Sequence, residues 1–301
     1  MSIQGKGVVV TGAGHGIGRA IAARLATEGA RVVVNDLDAA ATAAVAEDIG
    51  GYAVAGDAGS EAGVADLVER AQGHLGNIDV WFANAGTEGG VGLDAPEAEW
   101  AGALDVNLLG HVRAARRLVP GWVDRGQGRF VVTASAAGLL TMLGSPVYSV
   151  TKHGAVAFAE WLSATYRHRG VVVQTICPLG VRTRMYEASG AFQELLNLSD
   201  VVSPDELAET VWRAMQDDRF YILPHPEVAD YYVGRAGDPE RWLRGRTSCG
   251  RVWSRKASAR DGAAAPGSSC PTHRDLRPSP TSSAPRPSAW PAVDMGTVIC
   301  L

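Results

Sequence analysis

Short apolar runs alternate with helix-like segments through the first 225 residues, and this alternation limits what the chain can fold into. Most runs are uniformly apolar and rich in β-branched residues, as is typical of parallel strands that are buried on both faces. The predicted strands are Gly7–Thr11, Arg31–Asp36, Tyr52–Asp57, Asp79–Ala83, Arg129–Ser135, Val171–Pro178 and Phe220–Leu223. The helices predicted between them are Gly16–Glu28, Ala39–Ile49, Glu61–Leu75, Glu97–Asp124, Pro146–Arg169 and Asp205–Gln216.

Repeated β–α units predict an α/β protein with a doubly wound parallel sheet of seven strands, the Rossmann fold. Two helix starts support this pattern. Ser145 is the predicted N-cap of the fifth helix, with Pro146 at the first helical position and Gly170 just after the end. Ser203 and Pro204 open the sixth helix in the same way.

The character of the sequence changes after Gly245. Residues 1–245 are predicted to form a single domain, whereas residues 246–301 are rich in Ser, Pro, Ala, Gly and Arg. This tail holds eight Lys or Arg against three Asp, and it has too little apolar surface to offset the entropy of ordering. We therefore predict a largely disordered tail. A basic tail that contacts an acidic partner and a reading-frame slip in a GC-rich coding sequence are the alternatives.

Composition argues against several classes of protein. The net charge of −4 shows no basic excess for nucleic-acid binding. No run of 18 apolar residues predicts a membrane span, and the amino terminus lacks a signal-peptide pattern. The four cysteines show no C-x-x-C spacing, so neither a metal site nor a disulfide framework is expected. The sequence predicts a cytoplasmic protein without a metal, a nucleic-acid partner or a membrane partner.

A glycine-rich turn follows the first predicted strand and leads into a helix. It matches T-G-x-x-x-G-x-G through Gly12, Gly16 and Gly18. It does not match the general G-x-G-x-x-G fingerprint, because Ile17 takes the place of the last glycine. Glycines permit a tight turn and a close backbone approach, and the helix amino terminus offers free N–H groups to a pyrophosphate. The turn therefore predicts a dinucleotide site.

Asp36, at the end of the second predicted strand, favours NAD as the cofactor. A carboxylate there accepts hydrogen bonds from the ribose hydroxyls of NAD and repels the 2′-phosphate of NADP. Leu37 supports this interpretation because no cation follows the aspartate. His15 leaves NADP open as the less favoured alternative, since a protonated imidazole in the turn would assist a 2′-phosphate.

Tyr148 and Lys152 stand four residues apart, so a helix places them on one face. The ammonium of Lys152 is then expected to lower the pKa of the Tyr148 phenol, which is about 10 when unperturbed. Such a tyrosine exchanges a proton with an alcohol or a carbonyl near neutral pH. Ser135 lies 13 residues before Tyr148, at the end of an apolar run.

These motifs together resemble the classical short-chain dehydrogenase/reductase family over roughly residues 3 to 245. The resemblance rests on the order and spacing of the glycine turn, Asp57, Asn84-Ala85-Gly86, Asn107, Ser135 and Tyr148-x-x-x-Lys152. It implies an NAD(P)-dependent oxidoreductase that interconverts a secondary alcohol and its ketone by hydride transfer. The implied catalytic residues are Asn107, Ser135, Tyr148 and Lys152.

The resemblance also implies a role for each of these residues. Tyr148 would be the general acid/base, Lys152 would bind the nicotinamide ribose, and Asn107 would anchor a water that links Lys152 to solvent. Asp57 would meet the adenine amino group, and Thr183 the nicotinamide carboxamide. The implied cofactor-binding residues are Gly12, Gly14, His15, Gly16, Ile17, Gly18, Asp36, Leu37, Asp57, Ala58, Asn84, Ala85, Gly86, Tyr148, Lys152, Pro178, Val181 and Thr183.

The chain departs from the family pattern at Leu179, which occupies the usual glycine position after Pro178. This puts the shape of the pocket in doubt. The segments after Ser135 and after Thr183 are mostly apolar, which suits a hydrophobic alcohol or ketone. Arg182 and Arg184 flank the second segment and are candidates to meet a substrate carboxylate.

Two further expectations concern assembly and activity. The resemblance suggests a homotetramer or a homodimer built on the long helices Glu97–Asp124 and Pro146–Arg169. A catalytically silent NAD-binding protein is the alternative from another class, and the intact set of catalytic residues argues against it. A third possibility is an enzyme-like chain whose folding or assembly is impaired by Leu179 or by the tail.

Overall fold

The computed structural model describes residues 2–189 and 200–247. The chain divides into two compact units between Pro226 and Glu227. The first unit holds a seven-stranded parallel sheet with the strand order β3-β2-β1-β4-β5-β6-β7. The strands are β1 Gly7–Val10, β2 Arg31–Val34, β3 Tyr52–Ala53, β4 Val80–Ala83, β5 Gly128–Thr133, β6 Val171–Ile176 and β7 Tyr221–Ile222. The predicted fold class is confirmed, and the strands are shorter than predicted.

The helices of the first unit follow the predicted order with some corrections. They are α1 Gly16–Thr27, α2 Ala39–Ile49, α3 Glu61–Leu75, α4 Glu97–Leu104, α5 Gly110–Asp124, α6 Ala137–Leu140, α7 Pro146–Tyr166, α8 Arg184–Ala188 and α9 Pro204–Asp217. The helix predicted at Glu97–Asp124 contains a π-helical segment, Asp105–Leu109, between α4 and α5. The helix predicted at Pro146–Arg169 ends in a 3₁₀ turn, Arg167–Arg169, that closes at Gly170 in the left-handed conformation.

Local sequence explains how two of these helices begin. Ser203 and Glu206 form a capping box at the start of α9, in which each side chain bonds the backbone N–H of the other residue. Pro146 occupies the first turn of α7, as predicted. Ser145 precedes it at the N-cap, but its side chain makes no capping hydrogen bond.

Helices cover both faces of the sheet. Val8 and Val10 of β1 belong to a buried cluster that includes Ile21 of α1 and Leu207 of α9. Val9 is also fully buried and points to the other face, because successive side chains of a strand alternate. Helices α3 and α5 pack against each other and contact β1 and β4. Burial on both faces accounts for the uniformly apolar strands.

The second unit, described on its own, contains the helix α10, Glu227–Gly237, and helical residues 239–247. Arg246 and Thr247, which the sequence places in the predicted tail, belong to this helical stretch. Residues 248–301 lie outside the described residues, so the disordered tail and the domain boundary at Gly245 stay predictions. Within the described ranges, no helix is both long and apolar enough to span a membrane.

The strand order reverses between β1 and β4, and side chains tie their carboxyl ends together. The buried hydroxyl of Thr11 accepts hydrogen bonds from the backbone N–H groups of Asn84, at 2.9 Å, and Ala85, at 3.0 Å. It donates to the carbonyl oxygen of Phe82 at 3.1 Å. The Asn84 amide returns hydrogen bonds to the carbonyl oxygens of Thr11 and Gly12. In open α/β sheets, ligands bind in the crevice at such a reversal point.

We predict that Thr11→Val lowers the free energy of unfolding by about 2 kcal/mol, because two backbone N–H groups lose their acceptor inside the protein. Urea denaturation measures this loss. Thr11→Ser is the matched control: it keeps the hydroxyl and should lose much less stability. A larger loss in Thr11→Ser than in Thr11→Val would show that the methyl group, rather than the hydrogen bonds, holds the junction.

Candidate active site at the carboxyl ends of the strands

A cleft of about 500 Å³ opens at the point where the strand order reverses. Nearly all the residues that the sequence singled out line it. Gly14, Asn107 and Arg182 do not, and Asn107 is fully buried behind the wall. The predicted residues that line the cleft are Gly12, His15, Gly16, Ile17, Gly18, Asp36, Leu37, Asp57, Ala58, Asn84, Ala85, Gly86, Ser135, Tyr148, Lys152, Pro178, Val181 and Thr183.

The glycine turn is packed too closely for side chains. Gly12 has a φ of 62°, and a Cβ on it would lie 2.8 Å from the Cα of Ala85. A Cβ on Gly18 would lie 2.3 Å from the carbonyl oxygen of Gly12. Gly16, with a φ of 52°, faces the methyl group of Thr183. The backbone thus forms a concave cradle at the amino terminus of α1, where free N–H groups attract an anion such as a pyrophosphate.

Backbone N–H groups hold the Asp36 carboxylate at one end of the cleft. Its Oδ2 accepts a hydrogen bond from Gly14 N at 3.0 Å, and its Oδ1 accepts one from Asp38 N at 3.2 Å. This explains the position of Gly14: it supports Asp36 rather than lining the cleft. Leu37 extends into solvent with 74% of its surface exposed. Each carboxylate oxygen keeps a lone pair for the hydroxyls of a ribose.

His15 and Arg184 meet above the glycine turn. A guanidinium nitrogen of Arg184 lies 2.7 Å from His15 Nε2, and the same imidazole nitrogen lies 3.8 Å from Asp38 Oδ2. Since a guanidinium only donates, His15 Nε2 accepts in this contact. The sequence left Arg184 as a candidate for a substrate carboxylate. The structure instead directs it toward the turn.

Asp57 caps the loop that precedes α3. Its carboxylate accepts hydrogen bonds from Gly59 N at 2.7 Å and from Ser60 N at 3.1 Å. Hydrogen bonding from Ser60 lowers the pKa of Asp57, so the carboxylate stays ionised near neutral pH. Ala58 lies beside it in the lining.

Asn107 occupies the π-helical segment and fastens the wall of the cleft from behind. Its Oδ1 accepts from Thr87 N at 2.8 Å, and its Nδ2 donates to Thr87 O at 2.8 Å and to Thr151 Oγ1 at 3.0 Å. A Cβ on Gly86 would lie 3.2 Å from Asn107 Oδ1 and 3.3 Å from Lys152 Nζ. The glycine therefore leaves space between these two polar atoms.

Ser135, Tyr148 and Lys152 come together on the same wall. Burial raises the pKa of Tyr148 to about 12, although a hydrogen bond with Ser135 acts in the opposite direction. Burial also lowers the pKa of Lys152 to about 8. The Lys152 ammonium donates to the carbonyl oxygen of Thr133 at 2.9 Å and lies 5.6 Å from the centre of the Tyr148 ring.

The expected lowering of the Tyr148 pKa is therefore not found in the protein by itself. The sequence predicts the juxtaposition of the ammonium and the phenol correctly, but not the loss of solvation. Removing water disfavours the phenolate and the ammonium alike, and this loss of solvation is the largest influence on both pKa values.

Sequence reasoning missed two residues that support the site. Thr87 was overlooked because its role is carried by its backbone groups, which leave no signature in the sequence. His225 accepts a hydrogen bond from Leu179 N at 3.1 Å through Nδ1, while its Nε2 lies 3.0 Å from the carbonyl oxygen of Asp200. Its separation of 46 residues from Leu179 hid this contact.

Comparisons with known proteins agree with this geometry. A short chain dehydrogenase family model matches residues 6–194. The 1-deoxy-11-beta-hydroxypentalenate dehydrogenase of Streptomyces avermitilis is 37% identical over 237 residues, which cover 76% of this chain and 87% of the relative.

Two solved structures are similar to this chain over most of its length. A short chain dehydrogenase/reductase from Burkholderia phymatum in complex with NAD has a TM-score of 0.73 and 28% identity, covering 80% of this chain and 96% of that one. The 3-ketoacyl-(acyl-carrier-protein) reductase from Brucella melitensis complexed with NADH has a TM-score of 0.69 and 28% identity. This match covers 74% of this chain and 99% of the reductase. The chain therefore belongs to the short-chain dehydrogenase/reductase family and is an oxidoreductase that acts on CH–OH groups with a nicotinamide cofactor.

Proposed function

We propose that this protein is an NAD-dependent dehydrogenase/reductase that interconverts a hydrophobic secondary alcohol and its ketone. The observation that carries the proposal is the convergence of Ser135, Tyr148 and Lys152 on one wall of the cleft, next to a glycine cradle and Asp36. Two hydroxyl groups that line the same wall are placed to bind one substrate oxygen together.

The cradle suits a nicotinamide dinucleotide. Gly12 and Gly18 allow a closer packing of the turn than any residue with a Cβ would, and the free N–H groups of α1 lie at this turn. Asp36 would hold the adenosine ribose, Asp57 the adenine amino group, and Thr183 the nicotinamide carboxamide. Lys152 would hold the other ribose. When bound, the nicotinamide accepts or supplies the hydride.

Tyr148 handles the proton at the substrate oxygen in this mechanism. In ketone reduction its hydroxyl donates the proton as the oxygen gains charge, and in alcohol oxidation its phenolate accepts that proton. Ser135 donates a hydrogen bond to the same oxygen. Asn107 Oδ1 keeps one lone pair, so it can accept a hydrogen bond from a water beside Lys152. That water would pass protons from Lys152 toward solvent.

The substrate end of the cleft is mostly apolar. Met142, Leu179, Met185 and Tyr186 line it, and methionine side chains adapt to irregular shapes. A hydrophobic alcohol fits this lining. The Streptomyces relative is named for a hydroxypentalenate, which supports an alcohol as the substrate, although the name also denotes a carboxylate.

We predict that Tyr148→Phe lowers turnover by about 10²–10⁴-fold, the usual contribution of a general acid or base. NADH formation from a panel of secondary alcohols measures the rate, and quenching of protein fluorescence by NADH shows that the cofactor site persists. Tyr166→Phe, near the carboxyl end of the same helix, is the matched control and should keep wild-type turnover. Turnover by Tyr148→Phe close to wild type would contradict the mechanism, and NADH binding without turnover by wild type would favour a catalytically silent protein.

We also predict a preference for NAD over NADP that depends on Asp36. Unit charges about 4 Å apart near a protein surface repel by about 4 kcal/mol, so we expect at least a tenfold preference. Asp36→Ser should reduce this preference mainly through a lower Kd for NADPH, measured by fluorescence titration. Asp48→Ser, at an exposed carboxylate of α2, is the control. An unchanged preference in Asp36→Ser would exclude Asp36 as its cause.

A homodimer or homotetramer, located in the cytoplasm, completes the proposal. Apolar side chains remain exposed on the long helical segments, among them Leu109, Val150 and Trp161. A second copy of the chain would cover them. We predict a native mass that is two or four times that of the chain, measured by light scattering at several concentrations. A monomer throughout that range would contradict this part of the proposal.

A further inference from the structure

We propose that Glu88 selects substrates by charge, admitting uncharged molecules with a hydrogen-bond donor near the reacting carbon and rejecting acids with a carboxylate there. The inference rests on the proposed function, since it concerns the substrate of the same cleft. Glu88 lines that cleft together with Ser135 and Tyr148.

The backbone on both sides of Glu88 is fixed. Thr87 is held by two hydrogen bonds of 2.8 Å to the buried amide of Asn107. Gly89 has a φ of 73°, and a Cβ on it would lie 2.6 Å from Val147 Cγ1. Val147 immediately precedes Tyr148 on α7. Glu88 is therefore anchored beside the catalytic tyrosine rather than carried on a free loop.

Glu88 differs in charge from the rest of the substrate end and in position from the other carboxylates of the cleft. The lining at the substrate end of the cleft is mostly apolar and includes Val91, Met142 and Met185. The other carboxylates in the described lining, Asp36 and Asp57, are held by backbone N–H groups of the cofactor end. Partial loss of solvation raises the pKa of Glu88, and its charge in turn raises the pKa of Tyr148.

The arginine and lysine side chains that line the cleft have other contacts. Arg184 meets His15 at 2.7 Å, and Lys152 donates to the carbonyl oxygen of Thr133. A substrate carboxylate next to Glu88 would thus face repulsion, while a hydroxyl or amide N–H would gain an acceptor. Specificity between similar ligands often depends on such a repulsive element. The inferred substrate class is an uncharged, largely apolar secondary alcohol or ketone with a donor group on the Glu88 side.

A matched ligand pair tests the inference. The probes are a cyclic ketone that bears a carboxamide and the same ketone with a carboxylate, titrated by protein fluorescence against the enzyme–NAD complex, which cannot reduce a ketone. Wild type should bind the amide about tenfold more tightly than the acid, which corresponds to 1.4 kcal/mol. Glu88→Gln should bring the two affinities within about threefold of each other.

Glu99→Gln is the control, because this exposed carboxylate of α4 lies near Gly90 but does not line the cleft. It should keep the wild-type ratio of affinities. Equal ratios in wild type and Glu88→Gln would overturn the inference, as would equal binding of both probes by wild type. The binding ratio needs no turnover, so an inactive wild type would contradict the proposed function and leave this test decisive.

A pH profile provides a second readout on the active enzyme. Removing the negative charge of Glu88 lowers the pKa of Tyr148, since that charge favours the neutral phenol. The rise of kcat/KM for alcohol oxidation should therefore move to lower pH in Glu88→Gln and stay in place in Glu99→Gln. A profile that does not move in Glu88→Gln would show that the carboxylate does not act on the site.

Discussion

The cleft depends on the junction between β1 and β4, which Thr11 and Asn84 hold together. Two backbone N–H groups donate hydrogen bonds to the Thr11 hydroxyl. The Asn84 amide donates to the carbonyl oxygens of Thr11 and Gly12, at the start of the glycine turn. This junction brings Gly12 against Ala85, so the turn and the wall after β4 form one surface. Two residues further along that wall, Thr87 is fastened to Asn107. Hydrogen bonds thus anchor the wall at both the cofactor end and the substrate end.

Burial favours the uncharged form of both residues that handle protons, because it raises the pKa of Tyr148 and lowers the pKa of Lys152. It favours the neutral phenol of Tyr148 and the neutral amine of Lys152, and the Ser135 hydrogen bond opposes it at the phenol. The protein by itself therefore keeps the proton on Tyr148, which is the form that donates during ketone reduction. Alcohol oxidation needs the phenolate, so it depends more strongly on positive charge supplied near the phenol, including that of an oxidised nicotinamide.

Much of the site could be predicted from the sequence because its elements are local. A glycine turn after a strand and a tyrosine four residues before a lysine have direct consequences for backbone and side-chain placement. The π-helical segment could not be predicted, because the hydrogen bonds that anchor Asn107 come from Thr87 and Thr151, which lie 20 and 44 residues away. The shifted pKa of Tyr148 was missed for a related reason: it depends on how much water the whole fold excludes.

The substrate end carries the features that set this chain apart. Leu179 replaces the glycine of the family pattern, and its backbone is fixed from outside the cleft. Because the Asp200 carbonyl can only accept, His225 Nε2 donates to it, and Nδ1 is left to accept from Leu179 N–H. A fixed backbone gives the bulky Leu179 side chain a defined position in the lining. Glu88 is likewise anchored through its neighbours. The cofactor end keeps the family pattern, so the proposed selection among substrates falls to these two anchored residues of the substrate end.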